Sequence, residues 1–229
     1  MSLSEEEQTM WSKEVTNMII VGVGQTLTMT LVSTLIAYII GLPLGIALVV
    51  TADGGLKPNK IVYKVLDVIV NITRSIPFLI LLILIIPVTR FIVGKSYGTA
   101  GTIPPLTLAA APFIARMVES SLREVDSGVI EAAQSMGADI WTIIFKVMIV
   151  EARTSLIVNA TIVLGTVLGY SAMAGAVGGG GLGDIAIRYG YHRYQTDIMI
   201  VTVVLLVLLV QIMQVIGTKI AVKIDKRNI

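Results

Sequence analysis

Residues 15–52 read VTNMIIVGVGQTLTMTLVSTLIAYIIGLPLGIALVVTA, and no charged side chain interrupts them. A helix needs about 20 apolar residues to cross ~30 Å of hydrocarbon, so this run accommodates one long membrane span, expected over residues 18–50. It is too long for the apolar core of a secretory signal. Ser4, Glu5, Glu6 and Glu7 also make the preceding segment acidic where such a signal is basic, so the run reads as a retained anchor. Gly41, Pro43 and Gly45 fall in its second half, where neighbouring helices can supply the packing and the hydrogen bonds that these residues give up.

The same ruler, moved along the chain, finds four more spans, near residues 65–86, 103–123, 155–173 and 198–218. Pro104 and Pro105 are expected in the first turn of the third, where their missing donors cost little. Thr196 and Asp197 suit the N-terminus of the fifth. Composition agrees: 229 residues, 55% hydrophobic, 14% charged, with a mean hydropathy of +0.88. The expected fold is an all-α integral membrane bundle of five transmembrane helices, a single domain over residues 1–229. The net charge of +2 gives no reason to expect nucleic acid, and without cysteine there are no disulfides, thiol chemistry or cysteine-held metals.

Five crossings put the termini on opposite sides, and the distribution of basic residues chooses between them. With the C-terminus inside, the inner segments hold Lys57, Lys60, Lys64, Arg74, Arg116, Arg123, Lys146, Arg153, Lys219, Lys223, Lys226 and Arg227. The outer segments keep Lys13, Arg90, Lys95, Arg188 and Arg193. The N-terminus is therefore expected outside and the C-terminus in the cytoplasm.

On the inner side, between the third and fourth spans, residues 124–153 read EVDSGVIEAAQSMGADIWTIIFKVMIVEAR. Asp126 and Ser127 can cap a helix over residues 129–136, Gly137 interrupts it, and Asp139 can cap a second helix through Lys146. The result is an elbow of two short helices. Its apolar residues (Val129, Ile130, Ala133, Met136, Ile140, Ile143, Ile144) fit either of two placements, a knob docked in a partner's groove or an amphipathic surface lying among lipid headgroups.

Glu131-Ala132-Ala133, three residues, then Gly137 resembles the EAA loop of binding-protein-dependent ABC importer permeases. The resemblance implies the type I importer permease fold, with a cytoplasmic coupling helix seated in a cleft of an ATPase, and it assigns coupling to Glu131, Ala132, Ala133, Met136, Gly137 and Ala138. That family's loop closes on Ile-x-Leu-Pro; here Val147, Met148, Ile149 and Val150 stand instead, so a differently shaped exit is expected. Similarity to the permeases of methionine-uptake transporters is closer and covers nearly the whole chain. It is carried by residues 71–78 (NITRSIPF), 112–119 (PFIARMVE) and 169–178 (GYSAMAGAVG). It implies a second copy of this subunit, two cytoplasmic ATPases holding ATP and magnesium, an external lipid-anchored or periplasmic binding protein, and a bacterial cell membrane as the location.

Asp67, Asn71 and Arg74 share one face of the second span, as Arg116, Glu119 and Arg123 do on the third. Snorkelling or pairing between helices is the plainer reading of these charges; the sharper one makes Asp67, Arg74, Arg116 and Glu119 inner-mouth charges that pair across subunits. Tyr170, Ser171 and Met173, near the outer end of the fourth span, are candidates for the translocation path or its gate, with ordinary bundle core as the alternative. Two small-xxx-small pairs, Gly41/Gly45 and Gly165/Gly169, suggest close helix packing. The glycine-rich run 178–183 contains G-x-G-x-x-G but follows a membrane helix and no strand, so it reads as a flexible outer loop. Gly94-Lys95-Ser96 lacks the earlier glycine of a P-loop, because Thr89 stands there. Arg188, Tyr189, Tyr191, His192, Arg193 and Tyr194 form either an interfacial aromatic belt or a docking rim for an external protein. His192 is the only histidine and no metal-ligand spacing surrounds it.

With no nucleotide site and little catalytic inventory, the chain reads as a transport subunit that draws its energy from another protein and is not itself an enzyme. The expected function is import of a small amino acid, methionine first, by alternating access. Permeases for polar amino acids, sulfonates or phosphonates share the same loop, and a channel needing no ATPase is the remaining alternative.

Overall fold

The computed structural model describes residues 12–224; Glu5–Glu7, Lys226 and Arg227 lie outside them. All the described secondary structure is helical. Helix α1 (Lys13–Thr51) is capped by Ser12, whose side chain accepts from the Val15 amide. An exposed turn leads to α2 (Lys60–Ser75), capped by Asn59. Then follow α3 (Phe78–Leu84), α4 (Ile86–Val93) and α5 (Gly98–Arg123). Helix α6 (Ser127–Ser135) precedes a helical run, α7, made of Ile140–Thr142, a π-helical stretch Ile143–Met148 and Ile149–Glu151. Helix α8 (Arg153–Ala174) leads through a 3-10 turn (Gly175–Val177) to α9 (Gly181–Ile185), a π-helical stretch (Ala186–Tyr191) and α10 (Thr196–Ile224).

Helices α1, α5 and α10, and the helical run that starts with α8, are each long and apolar enough to cross a bilayer. Helices α2 and α3 pass the same test only when taken together, and they meet at 102°, the geometry of a broken span or a re-entrant loop. This all-helical membrane bundle is the expected class, with one correction. The second span is not a continuous helix over residues 65–86: Pro77 forces Ile76 into extended backbone (φ −80, ψ 122), and the helix axis turns there.

The centre of the bundle is the contact between α1 and α5. Gly22, Thr26, Thr30, Ser33, Ala37, Gly41 and Gly45 recur every three or four residues on α1 and are buried. Gly22 and Thr26 face the segment around Gly181 and Leu182, while Gly41 and Gly45 let the α1 and α5 backbones approach where Leu or Ile would hold them apart. The threonine hydroxyls satisfy themselves on their own helix, Thr26 donating to the Gly22 carbonyl at 2.9 Å and Thr30 to Thr26 at 2.8 Å. Gly41 and Gly45 fit the close-packing expectation, since a Cβ on either would lie 2.6 Å from a carbonyl oxygen of α5. Gly165 and Gly169 do not: a Cβ at 165 would make ordinary 3.9 Å contacts with α10, and one at 169 would touch nothing within 4 Å. Helix α5 starts at Gly98, so Pro104 and Pro105 lie in its second turn and beyond, not its first. Helix α10, with the highest hydropathy and only 11% of its apolar window buried, flanks the bundle with most of its apolar surface uncovered by the protomer.

Candidate functional site

At one end of the bundle, α6 and α7 form the elbow. Helix α6 starts two residues before the expected boundary because Asp126 alone caps it, accepting from Gly128 N at 2.7 Å. Gly137 terminates it at φ +78, a conformation open to glycine and costly to most other residues. The Ala138 amide reaches back to the Ala133 carbonyl at 3.1 Å and completes the cap. Asp139 then caps α7, accepting from Trp141 N at 3.2 Å and Thr142 N at 3.4 Å. Its carboxyl is held below the usual range, first by the Thr142 hydroxyl and then by these amides. Helix α7 runs past Lys146 to Glu151, because Val150, unlike a proline, keeps an amide that can continue it.

The elbow has two faces. Ala133, Ile143, Ile144 and Met148 are buried, and Ile130 packs against the same core. Glu131, Ala132, Met136 and Gly137 are exposed and Ala138 is partly so. Of the six coupling candidates, then, five reach the outer surface and Ala133 turns inward. The apolar knob also differs from the sequence expectation. Its outward residues are the expected Met136, 82% exposed, and Val129, joined by the stacked pair Trp141 and Phe145, with ring centroids 6.1 Å apart. The spacing of these two aromatics, i and i+4, was the available signal for that pair.

Above the elbow, α2 runs antiparallel to α5 and pairs with it by charge. Arg116 binds Asp67, Asn71 Oδ1 at 2.9 Å and Glu119 at 2.6 Å, and Glu119 also binds Arg123 at 2.8 Å. Asn71 donates to Asp67 at 3.2 Å, and Arg123 reaches the Tyr63 hydroxyl at 3.4 Å. Three of the four inner-mouth candidates, Asp67, Arg116 and Glu119, thus meet within one subunit. Arg74 stands apart. Its guanidinium lies over the Phe113 ring, 5.9 Å from the centroid, and among the described residues it has no carboxylate partner. Phe113 precedes Arg123 by ten residues, so Arg74 sits about 15 Å up α5 from that helix's inner end.

Beside Arg74, the break between α2 and α3 borders a cavity of about 180 Å³ lined by Thr73, Arg74, Phe78, Phe113 and Tyr170 among others. Phe78 and Tyr170 stack face to face at 4.7 Å and 6°, joining α3 to α8. The three path candidates are separated by the structure. Tyr170 lines this cavity and Met173, one turn further out, is 54% exposed. Ser171 is buried, with its hydroxyl donated to the Leu168 carbonyl at 2.7 Å. Phe78 and Phe113 stand in the sequence only as members of the two family-like stretches 71–78 and 112–119; the fold is what brings them to one cavity.

The opposite end overturns the expectation of a flexible loop at the glycines. Gly181 N donates to Gln25 Oε1 at 2.8 Å, Leu182 N to Thr26 Oγ1 at 2.9 Å, and Thr102 Oγ1 to the Gly179 carbonyl at 3.3 Å. Gly179, Gly181 and Gly183 are buried against neighbours that leave no room for a Cβ. The run is a packed hairpin in which glycine serves close approach. Beyond it, Arg188 pairs with Asp184 at 2.5 Å and Arg193 covers the Tyr189 ring at 4.6 Å. Tyr191, His192, Arg193 and Tyr194 remain exposed.

Residues 41–226 match the family described as the binding-protein-dependent transport system inner membrane component. The chain is 48% identical over 217 residues to the probable D-methionine transport system permease protein of Vibrio cholerae, an alignment covering 95% of this chain and 96% of that one. With the methionine import system permease protein of Bacillus subtilis it shares 49% identity over 180 residues, 79% and 81% of the two chains. Among solved structures, a chain of the inward-facing MetNI methionine ABC transporter is 48% identical and superposes with a TM-score of 0.93, covering 94% of this chain and 100% of its own. An amino acid ABC transporter solved with histidines superposes at 0.77 with 18% identity, covering 92% and 95%, which is a likeness of fold.

Proposed function

The chain belongs to the binding-protein-dependent transport system inner membrane components, and on that premise we propose that it is the permease subunit of an ATP-driven methionine importer in the bacterial cell membrane. The near full-length similarity to methionine permeases carries the substrate assignment over polar amino acids, sulfonates and phosphonates. Two copies of the subunit form the pathway. Two cytoplasmic ATPases bind ATP and magnesium, and an external binding protein delivers the amino acid.

In this reading the elbow is the lever. ATP binding draws the two ATPases together, the exposed Glu131, Ala132, Met136 and Gly137 follow the cleft that holds them, and the pathway turns outward. The buried Ala133 and Ile143 tie that motion to the bundle. Seating the elbow in the cytoplasm puts the N-terminus outside, in agreement with the basic residues gathered at the elbow's end. Tyr170 and Met173 line the path, and Asp67, Arg116 and Glu119 hold α2 to α5 at its inner mouth.

Gly137→Asp tests the lever. At φ +78 an added side chain strains the backbone by roughly 1–2 kcal/mol, and the new charge enters the surface that the ATPase must cover. The chain should still reach the membrane while uptake of radiolabelled methionine into vesicles is lost. Normal uptake by this variant would remove the mechanism.

A further inference from the structure

Arg116, Arg123 and Arg188 each have an acidic partner; among the described residues, Arg74 has none. It faces the 180 Å³ cavity at the break between α2 and α3, beside the rings of Phe113, Tyr170 and Phe78. The tie between Arg116 and Asp67 lies nearer the inner end, so Arg74 is set deeper than the charges it accompanies in sequence. A cation at such depth is stable only beside water or an anion. The break reinforces the point. Non-helical backbone at membrane depth persists where it borders a water-filled cavity or is buried in protein, and this segment borders the cavity.

The geometry points to Arg74 as the group that takes the carboxylate of the amino acid as it passes the broken helix, with the rings of Phe113 and Tyr170 as its apolar wall. A guanidinium presents a planar fork that matches a carboxylate, and no acid among the described residues occupies it. The Phe113 ring beneath it holds the guanidinium in place without neutralising it. The cavity has room for one small zwitterion, below the size of pockets that take larger ligands. This inference rests on the amino-acid import reading above, and names the residue that reads the substrate within the membrane.

The test uses the complete transporter, this chain with its ATPase, reconstituted in vesicles with the binding protein supplied. Arg74→Gln should lower methionine uptake by roughly tenfold or more, the loss expected for one charged hydrogen-bonded contact, while ATP hydrolysis stays within about twofold of the parent. Arg74→Lys keeps the charge but loses the fork, and should fall between the two. A second measurement needs no transport. The chain lacks cysteine, so Thr73→Cys places a single thiol on the cavity wall. An anionic thiosulfonate should label it faster than a cationic one, methionine should slow both, and adding Arg74→Gln should abolish the anion preference.

Parental uptake in an assembled Arg74→Gln transporter overturns the inference, as does an anion preference at Thr73→Cys that survives it. Should Arg74→Gln fail to assemble, Arg74→Lys decides: full uptake by it overturns the fork, and reduced uptake at unchanged ATP hydrolysis supports it. Failure of the parent transporter to accumulate methionine at all would instead strike the import reading, and the labelling ratio would still report on the anion site.

Discussion

Replacing Gly41 and Gly45 together with alanine will drive α1 away from α5, whereas the same replacement at Gly165 and Gly169 will not disturb the protomer. The two pairs have the same sequence signature. On α1, a Cβ at 41 would lie 2.6 Å from the Ala111 carbonyl oxygen and 2.8 Å from Ile114 Cβ; one at 45 would lie 2.6 Å from the Ala115 oxygen and from Val118 Cβ. Restoring ordinary contact of about 3.5–4.0 Å needs a separation of roughly 1 Å along the largest interface of the bundle, enough to forfeit a quarter to a half of the attraction there. Overpacking costs about 1–3 kcal/mol per site, and the gain in helix propensity returns about 1 kcal/mol at each. Summed over the two sites, the net loss is up to about 4 kcal/mol and centres on about 2 kcal/mol. At roughly 2–4 °C per kcal/mol for a chain of this size, the thermal midpoint should fall by several degrees. The assay is the fraction of detergent-solubilised protein that stays monodisperse after heating. Gly165→Ala with Gly169→Ala should match or exceed the parent. A double variant on α1 as stable as the parent, or one on α8 that loses as much, would refute the packing described above.

Two further outcomes follow from the charges. Arg116→Ala should destabilise the bundle more than Asp67→Ala, by about 3 kcal/mol against 1–2, because it leaves both Asp67 and the nearly buried Glu119 without their shared partner; thermal midpoints of the two variants measure the difference. Asp139 caps α7 as a carboxylate and its folded value lies below the ordinary 3.8, so its contribution is present in full above that value and is lost as pH falls through the folded one. Hydrogen exchange at the Trp141 and Thr142 amides should therefore keep its protection from neutral pH down to about pH 4 and lose it only below, a loss absent in Asp139→Asn.

Crossings are legible in the sequence because hydrophobic length is set by the bilayer alone, and Gly137 is legible because a helix stop followed by the Asp139 cap is a local signal. What sequence conceals is long-range or conditional on backbone shape. Hydropathy merges residues 65–86 into one segment because Pro77 changes direction without changing polarity. Glycines 178–183 carry no bulk and so resemble a loose loop. Their tight packing depends on Gln25, Thr26 and Thr102, more than 75 residues away in sequence, and no local pattern records it. Gly41 and Gly165 are indistinguishable by spacing; only the approach of α5 to one of them separates the two. Among the candidate site residues, Asp67 and Arg116 follow from helical spacing, while the depth of Arg74 follows from the antiparallel register of α2 on α5 and becomes visible only once Tyr63 is placed beside Arg123.

The distribution of apolar contact links the elbow to the helices around the cavity. Ala133, Ile143 and Met148 belong to one continuous core with Val118 and Leu122 of α5, Val163 and Val167 of α8, and Phe78 of α3. A close-packed interior does not absorb a displacement locally, so movement of the elbow has to be carried by the helices that share its core. Helix α2 belongs to a different regime. It packs Val70, Leu66 and Tyr63 in a smaller, separate cluster with Leu48 of α1 and Ala115 of α5, and adds the polar contacts of Asp67, Asn71 and Tyr63 to α5. The joint between these regimes is the bend at Ile76–Pro77, with Phe78 anchored in the core on one side and Arg74 on α2 on the other. If the elbow moves as proposed, the bend beside Arg74 is where a displacement of the core meets a helix outside it.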